Sequence, residues 1–447
     1  PDALKCIMPT AFVGNCASGF PFIGGVPARG ILMQWYKVAD IGSWDELDAP
    51  YGDMNVIKHP VWGPALRKRP LIDAADGVLY DDKLASWREV MSHPLDDEYW
   101  QPIHFTDEEL SDLDRPMFIT DGWYDMTVGP IDYFQRLERI NPTKSERYLL
   151  VGPWDHTQTF RSQLHDNSHG EHKMPDNGAV DLLGQRIAFF DRYLKGDKNT
   201  TVQADQVRVY ITGAPGSDAN VWRNFATFPA PGTEERRLYL HSNGSAYNFP
   251  QGGTLSWNTP TNEPTDSYIY DPDLPTPCEA EPFRDRRDIE IRADVLTYTT
   301  QPLDAPLTIL GEIRLILHAA SDAPDTDWFA MVTEVFPDGK SVAFYAALPA
   351  LRSRYRQGFD REVFLTPNEP REFRISLGSA GHQIAAGHRI RLSIFSANFP
   401  ACDPNTNTGN PVATDRETRV AKQTIFHSTD RASHILIPII DLNKVHK

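Results

Sequence analysis

Two continuous apolar segments in the middle of the chain have the length of β-strands. They cover residues 117–120 and 148–151, and neither alternates between apolar and polar positions. Strands without alternation are typical of a parallel sheet, because both faces of such a sheet are buried. Between them, Pro130 suits the first turn of a helix, and apolar residues recur at helical spacing from Ile131 to Leu137. The pattern predicts a strand–helix–strand unit of right-handed connection.

A second helix is predicted after this unit. Apolar residues recur at helical spacing from Leu183 to Leu194, and Gly196 stands where a left-handed C-terminal cap would end the helix. Residues 1–14 and about 113–234 are therefore predicted to form one α/β core.

The regions on either side of this core have different patterns. From residue 235 to residue 447, short strand-like runs are separated by clusters of Pro, Asn, Gly and Asp, which predicts a two-sheet sandwich or jelly roll. Residues 15–112 are rich in Trp, Pro and charge, and the helical pattern at 84–90 predicts a mostly helical insertion. The strands predicted in the C-terminal region cover residues 237–240, 307–310, 313–317, 328–332, 373–377, 390–394 and 434–437.

Composition narrows the classes of partner. The 447 residues include 44 Lys and Arg against 61 Asp and Glu, a net charge of −17. Nucleic acids and anionic membranes bind clustered basic surface, so neither is expected as a partner. No apolar run reaches the roughly 18 residues of a membrane span, and the run at 435–440 is interrupted by a proline.

The four cysteines predict neither a zinc site nor a disulfide framework. Cys6, Cys16, Cys278 and Cys402 show no CxxC spacing, and buried free thiols are the expectation in a chain of this length. Low cysteine use slightly favours the cytoplasm. Secretion or a periplasmic location stays open, because the residues after Pro1 show no signal-peptide pattern and a leader could have been removed.

Polar residues that could carry chemistry follow both predicted parallel strands. Asp121 and Asp125 follow the first strand, and Asp155 and His156 follow the second. Functional groups collect at the carboxyl ends of parallel strands, and an acid followed by a histidine is the order found in α/β-hydrolases. The histidine takes a proton from a serine hydroxyl, while the carboxylate orients the ring and stabilises the imidazolium.

Spacing alone does not decide this interpretation. Chance Asp–His pairs are common in a chain with 14 histidines and 61 acidic residues, and a Gly-Pro-Trp turn can simply end a strand. Composition alone leaves Asp121 and Asp155 as competing candidates for the acid that pairs with the histidine. We expect Asp121 to stabilise its turn and Asp155 to face solvent.

Many motifs in order along the chain resemble the CocE/NonD family of serine hydrolases. They lie at residues 93–100, 122–125, 152–156, 190–196, 270–272, 292–296, 325–327, 387–390 and, most specifically, 396–409. The resemblance implies an α/β-hydrolase core with a partial parallel sheet, a helical cap inserted into it, and a C-terminal jelly roll.

The resemblance also implies roles for particular residues. It places the triad acid on Asp125 and the triad base on His156. Trp123, Tyr124 and Trp154, beside them, are candidates for contact with a small-molecule ester or acylated substrate. It implies no metal and no organic cofactor.

The nucleophile of the family is missing from these residues. The family carries its serine in a G-x-S-Y-x-G elbow, and no Gly-x-Ser-x-Gly occurs in the 447 residues. Residues 1–9 resemble the stretch that follows the elbow helix, so the serine and the oxyanion donors are expected upstream of Pro1. They would belong to an N-terminal segment of the same polypeptide or to a separate chain. Ser18 lacks an elbow and is a poor candidate.

The resemblance predicts hydrolysis of carboxylic esters, or of activated amides, through an acyl-enzyme. One alternative is X-Pro dipeptidyl-peptidase or α-amino-acid ester hydrolase activity, which needs an acidic cluster to bind a substrate ammonium. Asp96, Asp97 and Glu98 are candidates for such a cluster, although the same residues suit an exposed helix start. The other alternative is a non-catalytic binding protein with an inert core.

Overall fold

A computed structural model describes residues 3–15, 19–42, 57–126, 129–142, 145–160, 168–169, 172–203, 205–278, 284–345 and 348–444. Cys16 and Ser18 lie outside the described residues. The helices are α1 (Arg29–Ile41), α2 (Trp62–Arg67), α3 (Asp81–Met91), α4 (Asp107–Ser111), α5 (Gly129–Ile140), α6 (His156–Phe160), α7 (Leu182–Leu194) and α8 (Arg287–Glu290).

The strands run along the whole chain. They are β1 (Phe22–Ile23), β2 (Val26–Pro27), β3 (Met117–Tyr124), β4 (Arg147–Asp155), β5 (Ser168–His169), β6 (His172–Lys173), β7 (Val207–Gly213), β8 (Val221–Phe225), β9 (Glu234–His241), β10 (Gly253–Ser256), β11 (Asp266–Tyr270), β12 (Leu296–Thr299), β13 (Leu307–Ser321), β14 (Asp327–Val335), β15 (Ser341–Ala343), β16 (Ala350–Arg352), β17 (Arg371–Ile384), β18 (Arg389–Phe395), β19 (Ala421–Ile425), β20 (His427–Ser428), β21 (Arg431–Ala432) and β22 (His434–Ile440).

The two apolar segments form the predicted parallel pair. Strand β3 pairs in parallel with β4, and every residue of β3 is buried. Helix α5 connects them, with Ile131, Phe134 and Leu137 buried. Strand β7 continues the parallel sheet beside β4, and β8 pairs antiparallel with β7. The strand–helix–strand prediction is confirmed, as is the helix α7, after which Gly196 adopts a φ of 74°.

The C-terminal region is built almost entirely of strands, as predicted. Strand β13 covers both 307–310 and 313–317, with a register shift between Ile313 and Arg314, so one bulged strand replaces two predicted ones. The other predicted runs fall within β9, β14, β17, β18 and β22. A mixed sheet with helices, followed by an all-β region, is thus the observed fold class.

One sheet crosses from the parallel strands into the all-β region. Its strands follow the order β15-β14-β18-β12-β10-β9-β22-β13-β17-β7-β4-β3. The connection is the parallel pairing of β17 with β7, in which His382 faces Thr212 and Gln383 faces Gly213. This connection was not predicted. It brings β17 against the end of β3, where the candidate site lies.

Helices α1 to α4 enclose a separate apolar cluster. Its buried side chains include Met33, Leu66, Trp62, Trp87 and Trp100. These tryptophans are therefore core residues, and α3 confirms the helical pattern at 84–90.

The segment at 396–409 joins the helices to the strands. Asp403 pairs with Arg29 of α1, with Oδ1 2.9 Å from Nη1. Asn405 donates from Nδ2 to Asp325 Oδ2 at 2.9 Å and to Asp327 Oδ1 at 2.8 Å. A buried loop needs such internal partners for its polar groups, which explains its density of Asn and Asp.

Two further sequence expectations concern thiols and membranes. Cys402 is a buried free thiol and Cys6 is a half-buried free thiol. Among the described residues, no helix combines the length and the apolar composition needed to cross a bilayer.

Candidate active site

The ends of two parallel strands bring the candidate acid and base together. Tyr124 at the end of β3 lies in register with Asp155 at the end of β4. Asp125 and His156 each come one residue later, at the same edge of the sheet. The main chain turns after β3, because the Asp125 N–H donates to the Gly122 carbonyl at 3.0 Å.

Asp125 and His156 form a hydrogen-bonded pair. Nδ1 of the imidazole lies 3.0 Å from both carboxylate oxygens. The Asp125 side chain has no exposed surface, whereas 27% of the His156 side chain is exposed. The contact assigns the Nδ1 proton to the bond with Asp125. Among the described residues, Nε2 has no hydrogen-bond partner, so this nitrogen is available to a reacting group.

The surroundings of the pair favour a protonated imidazole. Burial lowers the pKa of His156, but the hydrogen bond and charge of Asp125, with the charge of Asp155, raise it above its ordinary value overall. Burial and the charge of Asp125 raise the pKa of Asp121 well above its usual range. Asp121 therefore tends to hold a proton.

Neither competing carboxylate bonds to His156. Asp121 is buried within β3, where its carboxylate accepts the Gly122 N–H at 2.9 Å, so it is a strand residue and not the turn residue that the sequence suggested. Asp155 is only half-buried and does not simply face solvent, because its Oδ1 accepts the Gln158 N–H at 2.7 Å in the first turn of α6. Of these three carboxylates, the geometry pairs Asp125 with the histidine.

The three aromatic candidates beside the pair are all buried. Trp154 has no exposed surface and lies in an apolar cluster, with Nε1 donating to the Gly178 carbonyl at 3.3 Å. Tyr124 is 3% exposed. Trp123 is also 3% exposed, but it borders a cavity next to Asp125. Of the three, Trp123 is the one placed near a space that a substrate could enter.

That cavity lies between the parallel strands and the all-β region. It has a volume of about 260 Å³, and its walls include Asp121, Asp125, Asp132 and Glu312. Burial and the charge of Glu312 raise the pKa of Asp132 to about 7. Sequence patterns could not predict that Asp132 of α5 and Glu312 of β13 line one cavity, because the two elements meet only through long-range packing.

A groove of about 560 Å³ adjoins the cavity and shares Asp132 and Glu312 with it. Asp96 also lines the groove and lies 3.0 Å from His104 Nδ1. Asp97 Oδ2 lies 2.8 Å from the Nδ1 atom of His93. Each of these two carboxylates thus contacts a histidine.

Phe160 contacts the candidate base and was not predicted. Its ring packs edge-to-face on His156 at a centroid distance of 5.2 Å, and the residue is 48% exposed. Phe160 follows His156 by four positions, which is the spacing of neighbours on a helix face. If a helical turn had been predicted directly after His156, this spacing would have predicted the contact.

Comparisons with known proteins place the chain in a family. Residues 1–158 match X-Pro dipeptidyl-peptidase of the S15 family, and residues 199–436 match the X-Pro dipeptidyl-peptidase C-terminal non-catalytic domain. The chain is 32% identical over 364 residues to cocaine esterase from Rhodococcus sp. (strain MB1 Bresler). The chain belongs to the CocE/NonD family.

Solved structures of similar fold match nearly the whole chain. An aminopeptidase from a marine sediment Thaumarchaeota archaeon superposes with a TM-score of 0.80 at 24% identity, covering 98% of this chain and 73% of that one. An α-amino-acid ester hydrolase superposes with a TM-score of 0.77 at 24% identity and the same coverage, 98% and 73%. The alignment with cocaine esterase covers 79% of this chain and 61% of the esterase.

Proposed function

We propose that this chain supplies the acid and the base of a serine hydrolase that cleaves carboxylic esters, or activated amides, through an acyl-enzyme. The observation that carries the proposal is the contact of buried Asp125 with Nδ1 of His156, which leaves Nε2 open. The serine and the oxyanion donors would come from a segment upstream of Pro1 or from a separate chain.

The proposed mechanism follows from this contact. As the serine oxygen attacks the ester carbonyl, Nε2 of His156 accepts the hydroxyl proton, and Asp125 stabilises the resulting imidazolium. His156 then gives that proton to the departing alcohol oxygen. A water molecule then attacks the acyl-enzyme with the same two proton transfers through His156, which releases the acid and restores the serine. Each oxyanion donor would contribute roughly 3–4 kcal/mol to the stability of the transition state.

We propose roles for the regions as well. Residues 1–14 and 113–234 would form the α/β-hydrolase core, residues 15–112 the helical cap, and residues 235–447 a jelly roll. The cavity beside Asp125 and the adjoining groove are lined from all three regions, which supports a pocket for a small-molecule ester at their junction.

A second candidate is an esterase or peptidase that requires a free amine in its substrate. The observation that favours it is the acidic lining of the cavity by Asp132 and Glu312. An ammonium group would complement these carboxylates. Acetylation of the substrate amine would then abolish turnover, whereas a plain esterase would keep it.

The test of the main proposal is the intact mass of the natural protein before and after reaction with a fluorophosphonate probe. One adduct on a chain well above 50.5 kDa, or on a separate smaller chain, would support a serine hydrolase that uses this acid and base. A 50.5 kDa protein with no adduct and no partner chain would contradict the proposal and favour a binding protein.

A further inference from the structure

His156 is the first residue of α6, and this helix is only five residues long. A single helical turn gains little from its own hydrogen bonds, because nucleation fixes several residues for one bond. Its first N–H groups also lack partners within the helix. The orientation of the imidazole therefore depends on contacts that fix the start of α6.

Asp155 and Gln158 close the start of α6 reciprocally. The Asp155 carboxylate accepts the Gln158 N–H at 2.7 Å, and the Gln158 side-chain oxygen accepts the Asp155 N–H at 3.2 Å. The two residues occupy the N-cap and N3 positions, so these bonds form a capping box. Gln158 is buried, with 6% of its surface exposed. His156 lies between the two residues in the chain, so the capping box fixes its main chain at the end of β4.

Thr159 holds the same turn against β3. Its hydroxyl donates to the Asp155 carbonyl at 2.7 Å, and the residue has no exposed surface. A Cβ atom on Gly122 of β3 would lie 2.9 Å from this hydroxyl oxygen and 2.1 Å from the Trp154 carbonyl oxygen. The first turn of α6 thus contacts the β3 backbone three residues before Asp125.

A register shift at the end of β4 directs the residues that follow it. Gly122 of β3 pairs with Gly152 of β4. The next paired residues are Tyr124 and Asp155, so three steps along β4 match two steps along β3. One extra residue in a strand, as in a bulge, reverses the face to which later side chains point. The register shift and the capping box act on consecutive residues and together set the direction of the His156 side chain.

We propose that Asp155, Gln158 and Thr159 are positioning residues for the candidate base. By fixing the first turn of α6, they keep Nδ1 of His156 within hydrogen-bond distance of Asp125. Asp155 thus acts through the main chain of α6, which explains a carboxylate that stands beside the base without bonding to its ring. The catalytic consequence rests on the function proposed above, whereas the geometric consequence does not.

The first test compares Asp155→Ala with Asp155→Asn in the natural protein. Both variants lose the same charge, but the side-chain oxygen of Asn still accepts the Gln158 N–H. At a pH above the acid limb, we expect Asp155→Ala to lower kcat about tenfold while KM stays within about twofold, because the base is misplaced but the pocket is intact. Asp155→Asn should keep kcat within about twofold of the parent.

The matched control is Thr106→Ala, which removes a capping box from another five-residue helix. Thr106 Oγ1 accepts the Glu109 N–H at 3.2 Å at the start of α4, and the Glu109 carboxylate accepts the Thr106 N–H at 2.8 Å. Loss of either cap should lower the midpoint of urea denaturation. Only Asp155→Ala should also lower kcat, since α4 carries no residue that lines the cavity or the groove.

A second readout does not depend on turnover. With histidine labelled for NMR, the proton between Nδ1 of His156 and Asp125 gives a low-field resonance, which is assigned by its loss in His156→Gln. Asp155→Ala should move this resonance upfield and speed its exchange with water, whereas Asp155→Asn should leave it near the parent position. Among the described residues, the charged groups around the ring are Asp121 and Asp125 of β3, Asp155 of β4 and Arg186 of α7. Of these, only Asp155 changes, and its charge is lost equally in both variants.

The outcomes separate the two proposals. Equal kcat values and equal Nδ1 proton resonances in Asp155→Ala and Asp155→Asn overturn the positioning role, because only the charge would then matter. An equal loss of kcat in Thr106→Ala also overturns it. If Asp155→Ala does not fold, Thr159→Val removes the bond to the Asp155 carbonyl and Thr159→Ser keeps it, so kcat should fall only in the first. A natural protein with no probe adduct and no turnover refutes the hydrolase, and the Nδ1 proton still tests the positioning.

Discussion

Two histidine–carboxylate pairs in this molecule have the same chemistry and different surroundings. In one pair, Nδ1 of His156 lies 3.0 Å from Asp125 at the edge of the parallel strands. In the other, Nε2 of His427 lies 2.7 Å from Asp266 Oδ2 in the all-β region. The His156 side chain is 27% exposed, whereas the side chains of the second pair have no exposed surface.

The second pair belongs to a closed network. Oδ1 of Asp266 accepts from Ser242 Oγ at 2.8 Å and from the Ala246 N–H at 2.9 Å. Oδ2 accepts from the Tyr298 hydroxyl at 2.9 Å as well as from His427. Every lone-pair direction is used, and no reacting group can reach the imidazole. The difference teaches that access to the distal ring nitrogen, and not the pair itself, makes a histidine–carboxylate contact a candidate for proton transfer.

The largest difference between the pairs should appear in kcat. We expect Asp125→Asn to lower kcat of the natural protein by about 10⁴-fold, because the amide no longer fixes the tautomer or stabilises the imidazolium. Steady-state kinetics with an activated ester measures this change. The control is Asp266→Asn, which should leave kcat per folded molecule unchanged. Equal losses of kcat in the two variants would remove the distinction between the pairs.

The same two variants should rank in the opposite order for stability. The carboxylate of Asp266 accepts from four donors, two at each oxygen. An Asn side chain has only one oxygen, so two of these buried donors would face its NH2 group. We expect Asp266→Asn to lower the free energy of unfolding by about 2–5 kcal/mol. Urea denaturation followed by tryptophan fluorescence gives the value. Asp125→Asn should lower the free energy of unfolding by less. If Asp266→Asn instead had the smaller effect, the closed network around Asp266 would be contradicted.

The pairs should also respond to pH with opposite signs. The pKa of His156 is raised by Asp125 and Asp155, so the stability it gains is fully present below its unfolded pKa and is lost as the pH rises through the folded pKa. Burial raises the pKa of Asp266, but hydrogen bonds from His427 and the Ala246 N–H lower it overall. The stability from Asp266 is present above its unfolded pKa and is lost as the pH falls through the folded pKa.

Two measurements check these signs. The acid limb of the kcat/KM profile should have its midpoint above the ordinary histidine value of 6.5. The destabilisation caused by His156→Gln should be larger at about pH 5.5 than at about pH 8.5, while that of Asp266→Asn should shrink in acid. A rate that is independent of pH from about 5 to about 8 would argue against His156 as the base.

The smallest expected effect concerns the exposed face of His156. Phe160→Ala removes the ring that packs on the imidazole, and edge-to-face contacts contribute about 1 kcal/mol, so kcat should fall about fivefold. Phe160→Tyr keeps the ring and serves as the control, with kcat near that of the parent. An equal loss of kcat in both variants would show that ring packing on His156 is not the cause, because Phe160→Tyr keeps the ring.

Local patterns predicted the parts of the fold whose partners are near in sequence. The apolar runs at 117–120 and 148–151 predicted parallel strands because burial on both faces removes polar alternation, and β3 and β4 confirm this. The acid–histidine order after these strands led to Asp125 and His156, which the structure places in contact. Their catalytic roles stay a prediction.

Other features depend on packing between distant segments, which periodicity does not record. Nothing in the pattern of 371–384 indicates that His382 lies beside Thr212, and the acid role could not be assigned among Asp121, Asp125 and Asp155 from composition. The choice required knowing which carboxylate the turn after β3 directs toward the imidazole. In contrast, the contact of Phe160 was readable as an i, i+4 neighbour of His156.

The sheet that continues from β7 into β17 restricts how the molecule can move. A hinge bends a linker while the elements on either side keep their hydrogen bonds, but here the two regions share a ladder of main-chain pairs at His382–Thr212 and Gln383–Gly213. Rotation of one region against the other would break that ladder and lift Gly381 from the indole of Trp123, which it contacts. We therefore expect the parallel strands and the all-β region to move together, because separating them would break this pairing.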